Sequence, residues 1–483
     1  MWTANLRLAM LLQSGIALMM IAPMSIGIYN REAASVKAFA ITIALVLALT
    51  VAAFLFTRKK ERRSMTARDG YFLVTVSWVL ATAFGALPLL ISGEYPNYSM
   101  AFFEIMSGFT TTGATVLAEI ERCSKSVLFW RSMTNWLGGM GFVVLFVAIL
   151  PALGVGGTYL YGAESVGPTK DKLAPKSRTT AMALWLIYIA FSVLETVMLL
   201  FGGLSLYDAV TVTFSTMSCA GFCVKGASIG AFGSAYVDVV VTVFMLIGGT
   251  NFALYFKLIT GKGKLVLHDG ELRSYLGIFF GALLFCSLGL KLAGYYESFG
   301  ACLRYAAFAL ASILTTTGFA TADYCLWPAF SLFFVILMMF IGGCAGSTAG
   351  GMKVIRLTTV LRLTPTELKR KVHPNGVFPV RIGSGVIDRK LIQSMAGFCA
   401  TYLLVWIVSS IAILITGVDI PTALASTILT LGNIGIGFGQ VGPTGNFTIF
   451  PSWALWLFSF LMLLGRLELY TVLVMFTKSF WKK

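Results

Sequence analysis

Four short stretches of this chain combine residue types suited to stripping water from a cation. The first reads Phe109-Thr110-Thr111-Thr112-Gly113-Ala114-Thr115, and Ser215-Thr216-Met217-Ser218-Cys219-Ala220-Gly221-Phe222 echoes it. The third is Leu314-Thr315-Thr316-Thr317-Gly318-Phe319-Ala320, and the fourth is Leu431-Gly432-Asn433-Ile434-Gly435-Ile436-Gly437-Phe438. Their anchoring glycines lie about a hundred residues apart, a spacing that suits a hairpin of membrane helices. A short semi-apolar run precedes each stretch, and a long apolar segment follows after a polar interval. Glycine permits backbone conformations that point successive carbonyls at one axis. A ring of such carbonyls can replace the hydration shell of a monovalent cation. Irregular backbone survives at membrane depth only where protein surrounds it or where it lines a wet cavity. We therefore read each stretch as a pore loop: a half-length helix entering the membrane, then an extended turn leading out. A plain helix–helix turn containing Thr and Gly explains one copy as well, but explains four in the same setting poorly. The candidate filter residues are Thr111, Thr112 and Gly113; Cys219, Ala220 and Gly221; Thr316, Thr317 and Gly318; and Asn433, Ile434 and Gly435.

Two further features belong at membrane depth. Gly342-Gly343-Cys344-Ala345-Gly346-Ser347-Thr348-Ala349-Gly350-Gly351-Met352-Lys353 has five glycines in its first ten residues, too many for a regular helix. No Gly-Lys-Ser/Thr follows, so it is not a phosphate-cradling loop. We read it as a broken helix forming a movable constriction on the cytoplasmic side of the filter, with Gly342, Gly343, Gly346, Ser347, Gly350, Gly351 and Lys353 as gate residues. The alternative is tight helix packing through small residues. The second feature is Arg466, inside the last apolar segment. A guanidinium in hydrocarbon is expensive unless it faces a cavity or a partner. We expect it to face the pore below the filter, where positive charge opposes cation flow; an ion pair with Glu468 is the bland alternative.

The rest of the chain must hold these loops in a bilayer. Of its 483 residues, 58% are hydrophobic and 12% charged, and the mean hydropathy is +0.85. That excludes a soluble globule. Apolar runs at about 8–28, 39–56, 71–91, 127–150, 181–201, 237–258, 276–292, 326–341, 392–415 and 453–475 are each read as a span. The fold expected is an all-α polytopic membrane protein. A leading helix hairpin (1–69) precedes four span–pore-loop–span repeats (70–178, 179–272, 273–390 and 391–483) in pseudo-fourfold arrangement round one ion pore. If the spans alternate, 27 of the 36 basic residues fall on one side, which is therefore cytoplasmic, together with both termini. The net charge of +16 then reflects topology and attraction to anionic lipid, not nucleic acid. No cytoplasmic connection is long enough for a sensing domain. The longest, about 353–390, is where a separate regulatory chain would dock, against the alternative of simple lipid contact.

Other chemistry is poorly supported. The eight cysteines show no zinc-like spacing, and Cys219 and Cys223 are read as buried free thiols. His268 and His373 lie in polar loops without a partner at ligand spacing. There is no Walker loop or zinc-protease helix motif, which disfavours an ATP-driven pump and a metalloprotease. An intramembrane enzyme would need Ser218 or Ser347 as nucleophile, and neither histidine lies in a span to serve as base.

The four loops, the Trp130-Arg131-Ser132-Met133-Thr134-Asn135-Trp136-Leu137-Gly138-Gly139-Met140-Gly141 stretch and the glycine-rich run with Lys353 resemble the TrkH/KtrB/HKT superfamily of potassium transporters. The leading hairpin and the length resemble its TrkH branch. The resemblance covers essentially the whole chain. It implies a pseudo-fourfold pore in one chain, a homodimer in the bacterial inner membrane and a cytosolic TrkA-type nucleotide-binding ring as partner. It also implies that the four filter glycines select K⁺ and that the glycine-rich loop and Arg466 gate the pore. The second and fourth stretches depart from a symmetric filter, sharing one glycine apiece with the others. Fewer ion sites and more modest selectivity follow, with Rb⁺ permeant. The function expected is potassium-selective uptake without bond making or breaking; the alternative is a symporter coupling K⁺ to H⁺ or Na⁺.

Overall fold

A computed structural model describes residues 2–57, 66–141, 177–382 and 385–482. The architecture is helical and multi-span. Among the described residues, six helices are long and apolar enough to cross a membrane, and two bent pairs bring the count to eight. The leading hairpin is Trp2–Met19 and Ile21–Tyr29 followed by Ala33–Thr57. Phe39 packs edge-on against Trp130, whose indole N–H donates to the carbonyl of Gly85 at 3.0 Å. The hairpin is thereby keyed to the first loop unit.

Four half-length helices occupy the places expected of them: Tyr98–Phe109, Leu206–Met217, Phe299–Leu314 and Ile420–Leu431. Long outer helices enter the four units at Arg68–Ile91, Ser177–Phe201, Gly270–Leu292 and Arg389–Leu414. The inner helices of the first, second and fourth units depart from the straight spans expected, whereas the third is interrupted at the glycine-rich run, as its sequence led us to expect. In the second unit, Ala235–Gly248 and Phe252–Ile259 meet at 92°, and in the fourth, Ser452–Arg466 meets Leu469–Phe476 at 115°. In the third, only Ala329–Met338 is α-helical before the glycine-rich loop, and the chain resumes at Val354–Val372. In the first, Lys125–Gly139 ends at Met140, and residues 142–150 of the expected span lie outside the described residues. Hydropathy reads through the breaks in the second and fourth units because the residues on both sides of each are apolar. The basic clusters at 58–63 and 170–176 also lie outside the described residues.

The chain is not purely α: Arg381–Ile382 pairs antiparallel with Gly385–Val386 in a minimal ribbon within the basic 353–390 connection. The cysteines are free, and both histidines are exposed.

Candidate functional site

Each half-length helix begins on a side-chain cap. Asn97, Ser205, Ser298 and Asp419 accept from the backbone N–H of Met100, Asp208, Ala301 and Thr422, satisfying donors that the first helical turn leaves free. Each also ends in the same way. Thr111, Cys219, Thr316 and Asn433 adopt left-handed conformations, with φ of 54°, 53°, 56° and 53°. The N–H groups of Thr112, Ala220, Thr317 and Ile434 reach back to the carbonyls of Ser107, Ser215, Ser312 and Leu429 at 2.7–2.9 Å. This is the bonding of a Schellman turn, in which a left-handed residue stops the helix. Glycine or asparagine usually takes that position. Thr and Cys there are strained, at about 1–3 kcal/mol each. The turn lifts the next two residues out of the helix and into the candidate filter.

The four loops meet in cyclic order. A methyl group added at Gly113 would lie 2.3 Å from the nitrogen of Gly221, and one at Gly221 would lie 2.7 Å from the carbonyl oxygen of Gly318. One at Gly318 would lie 2.1 Å from the oxygen of Ile434, and one at Gly435 would lie 2.3 Å from the oxygen of Thr112. Gly113, Gly318 and Gly435 also have positive φ, whereas Gly221 does not and is required by space alone. Four backbones thus close a ring without side chains between them. Asn433 crosses one joint, donating to Thr112 Oγ1 at 2.9 Å.

A second ring of ties lies where the chain leaves the loops. Gly226 N–H donates to Glu121 at 2.7 Å and Gly230 N–H to the carbonyl of Ala320 at 3.1 Å. Tyr324 Oη donates to the carbonyl of Gly437 at 2.6 Å and Phe447 N–H to that of Thr115 at 2.9 Å. Behind the first loop, Glu104 and Arg131 form a fully buried ion pair at 2.6 Å. The Glu104 carboxylate also accepts from Thr115 Oγ1 and Val116 N–H, at 2.8 and 2.9 Å. The guanidinium lies 4.2 Å above the ring of Phe222 in the second loop. Neither Glu104 nor Arg131 stood out in the sequence as a support for the filter.

The glycine-rich run packs directly against the inner ends of the loops. Thr348 Oγ1 is 3.0 Å from the carbonyl of Met217 and 3.2 Å from Cys219 Sγ. Gly350 N–H donates to Thr316 Oγ1 at 2.6 Å, and a methyl group on Gly350 would sit 2.5 Å from the carbonyl oxygen of Gly432. Gly342 and Gly351 are in mutual close approach at the neck of the loop, Gly343 lies against the carbonyl of Gly249, and Gly346 lies against Asn251. Ser347 Oγ donates to the carbonyl of Cys344, closing a turn. Glu271 holds both ends: its Oε1 accepts from Ala345 N–H at 2.8 Å and from Ile355 N–H at 3.2 Å. Lys353 is buried, with its ammonium on the carbonyl of Ala349.

Arg466 completes this layer. Its Nη1 donates to the carbonyl of Thr348 at 2.8 Å, and its Nη2 to those of Gly138 and Gly139 at 2.6 and 2.5 Å. Glu468, weighed as its partner, reaches Arg356 at 2.6 Å from the far side of the helix break. A pattern in the sequence explains the layer. Leu137-Gly138-Gly139, Ile247-Gly248-Gly249, Ile341-Gly342-Gly343 and Leu464-Gly465-Arg466 occupy the same place in the four units, where each inner helix ends or breaks. Methyl groups at Gly138, Gly248 and Gly465 would lie 1.8, 3.3 and 2.1 Å from the carbonyl oxygens of Phe109, Met217 and Leu431. In those three units the glycine lets the inner helix touch the end of the half-length helix; Gly342 instead faces the neck of its own loop. Arg466 stands where the other three units have a second glycine. That repeat was available in the sequence and would have aligned Arg466 with this layer.

These features agree with what the chain is similar to. The model of the TrkH family, described as cation transport protein, matches residues 35–285 and 296–483. The chain is 40% identical to the Trk system potassium uptake protein TrkH of Escherichia coli K12 over 469 residues, covering 96% of both. It is 38% identical to the TrkH of Halomonas elongata over 452 residues, covering 92% of both. The crystal structure of the potassium transporter TrkH from Vibrio parahaemolyticus superposes with a TM-score of 0.88 at 34% identity over the whole of both chains. By sequence and by fold, this multi-span chain belongs to the TrkH family of cation transport proteins.

Proposed function

We propose that the chain conducts K⁺, and Rb⁺ in its place, through a filter lined by backbone carbonyls, and that the glycine-rich loop and Arg466 gate it. The observation that carries this reading is the cyclic contact of Gly113, Gly221, Gly318 and Gly435, backbone against backbone. Thr111, Thr112, Cys219, Ala220, Thr316, Thr317, Asn433 and Ile434 supply the remaining filter backbone. Carbonyl dipoles compensate a dehydrated monovalent cation without a fixed negative charge. Where a cation would leave such a filter, the loop from Gly342 to Lys353 and the Arg466 guanidinium oppose it by bulk and by charge. The division into a leading hairpin and four pore units belongs to this reading. So do a homodimer in a bacterial inner membrane with cytoplasmic termini and a TrkA-type ring docked on the 353–390 connection. The relatives' shared name, potassium uptake protein of a Trk system, supports the choice of ion and of partner.

One observation favours symport as the second reading. Glu195 is fully buried in the Ser177–Phe201 helix beside Thr216 of the second half-length helix. A buried carboxyl in a span is a natural proton carrier. The test is ⁸⁶Rb⁺ uptake into liposomes holding the purified chain, with K⁺ and Na⁺ as competitors and with external pH and Na⁺ varied. Uptake blocked by K⁺ far better than by Na⁺, without dependence on either gradient, supports the conductive filter. A strict requirement for a proton or sodium gradient replaces it with symport.

A further inference from the structure

A cavity lies between Val354–Val372, the helix that leaves the glycine-rich run, and the first turns of the outer helix Arg389–Leu414. Its volume is about 310 Å³, within the range of about 300–1,000 Å³ usual for small-molecule sites. Eight of its twelve lining residues are apolar. Leu363, Glu367 and Arg370 line it from one face of the first helix, Ile392 and Ala396 from the second, and Phe378 from the connection between them. The Arg370 guanidinium fixes that connection, donating to the carbonyl of Phe378 at 3.1 Å while paired with Glu367. Arg389 and Gln393 also line the cavity, and both are exposed, so it is open on their side.

That side faces lipid. Arg389 and Gln393 begin a stripe that continues through Ala400, Leu404, Ile407 and Ile411, spaced as one helix face and exposed throughout. On a membrane span such an apolar face is covered by hydrocarbon chains. The cavity therefore sits where the lipid-facing surface of this span reaches its polar end, at the level of the headgroups. Charge narrows the choice of occupant. Residues 361–390 carry seven lysines and arginines against two carboxylates, Glu367 and Asp388. Basic groups at the end of a span attract anionic headgroups. A soluble anion would leave the apolar wall uncovered, and a neutral lipid would gain nothing from the basic rim. We propose that the cavity binds one anionic phospholipid, with its phosphate at Arg389 and the first part of an acyl chain against Leu363, Phe378 and Ile392. Binding needs no ion movement, so the site stands or falls independently of the pore reading.

Native mass spectrometry of the full chain in neutral detergent, with phosphatidylglycerol and phosphatidylcholine added separately, tests it. One phosphatidylglycerol per chain should be held about tenfold more tightly than phosphatidylcholine, the effect of one charge-assisted hydrogen bond. Arg389→Gln, a change at an exposed side chain, should bring the two lipids to equal affinity. Ala396→Phe fills the cavity and should weaken retention of both. Equal retention of the two lipids by the wild type, or a preference indifferent to both substitutions, overturns the proposal. Displacement of phosphatidylglycerol by inorganic phosphate at equal concentration would assign the site to a free anion. An oligomer that dissociates in Ala396→Phe while lipid retention is unchanged would assign the cavity to a contact between copies. Either of these results also overturns the phospholipid site.

Discussion

Arg466 donates to the carbonyl of Thr348 at 2.8 Å, while the Thr348 hydroxyl lies 3.0 Å from the carbonyl of Met217. One residue of the glycine-rich loop therefore bridges the last span and the second candidate filter loop. The same guanidinium reaches Gly138 and Gly139 in the first unit, so the loop is clamped from two directions. If the loop moves aside to conduct, these bonds are the ones that must break.

Arg466→Ala removes all three of these hydrogen bonds and should raise basal ⁸⁶Rb⁺ flux by at least about tenfold, the effect of losing even one charge-assisted bond. Ion preference should not change. Arg466→Lys should give an intermediate flux, because an ammonium cannot reproduce the fork that reaches three carbonyls. Unaltered flux in both variants would make Arg466 a structural residue only.

Glu271 offers a milder way to release the same loop. Both of its loop contacts fall on Oε1, so Glu271→Gln keeps an acceptor for Ala345 and Ile355 and should retain low basal flux. Glu271→Ala leaves those N–H groups unsatisfied and should raise flux several-fold, at about 1–3 kcal/mol in stability. Paired flux and thermal-unfolding measurements check this. Equal flux in the two variants would refute the latch.

Gly113→Ser places a side chain where φ is +79° and where the nitrogen of Gly221 is 2.3 Å from the new Cβ. Discrimination between K⁺ and Na⁺ should weaken, read as the ratio of the two in competing with ⁸⁶Rb⁺. An unchanged ratio would count heavily against this ring as the filter.

Removing one partner of the buried Glu104–Arg131 pair leaves an uncompensated charge, a loss of about 3–5 kcal/mol. Glu104→Ala should therefore lower the unfolding temperature in detergent more than the double variant Glu104→Gln, Arg131→Met. If the single variant is as stable as the wild type, the pair does not brace the first loop.

Glu121 ties the first loop to the second outside the spans, and the Gly226 N–H holds its carboxyl below the usual carboxylate range. A lowered folded pKa means that the tie contributes stability above the unfolded value, about 4.3. That contribution fades as pH falls toward and through the folded value. The difference in unfolding temperature between wild type and Glu121→Gln should be constant above about pH 6 and shrink in acid. A difference that grows in acid would reverse the assignment.

Much of this architecture can be read from the chain alone. Hydropathy marks the apolar helices, because a bilayer demands long runs without charge. The four candidate filter stretches are legible because each repeats one local requirement, a turn that ends a short helix. The glycine-rich run is legible because a helix does not tolerate it. The breaks at Gly249 to Asn251 and at Leu467 to Glu468 escaped notice, since hydropathy is indifferent to backbone direction and apolar residues continue on both sides. The repeated glycine at 138, 248, 342 and 465 could have revealed them, but each looks like ordinary small-residue packing until the ends of the half-length helices lie against three of them.

Residue types by themselves determined the membrane setting, the four loops, the glycine anchors and the presence of a cation inside the last span. Only the tertiary structure decided which backbones meet, that the ring closes in the order of the chain, and that Arg466 reaches the carbonyls of Thr348, Gly138 and Gly139. The physical reason is range. A turn or an apolar run is set by a few neighbouring residues. The partner of a buried charge is chosen among groups hundreds of residues away, brought within hydrogen-bond distance only when the units pack together.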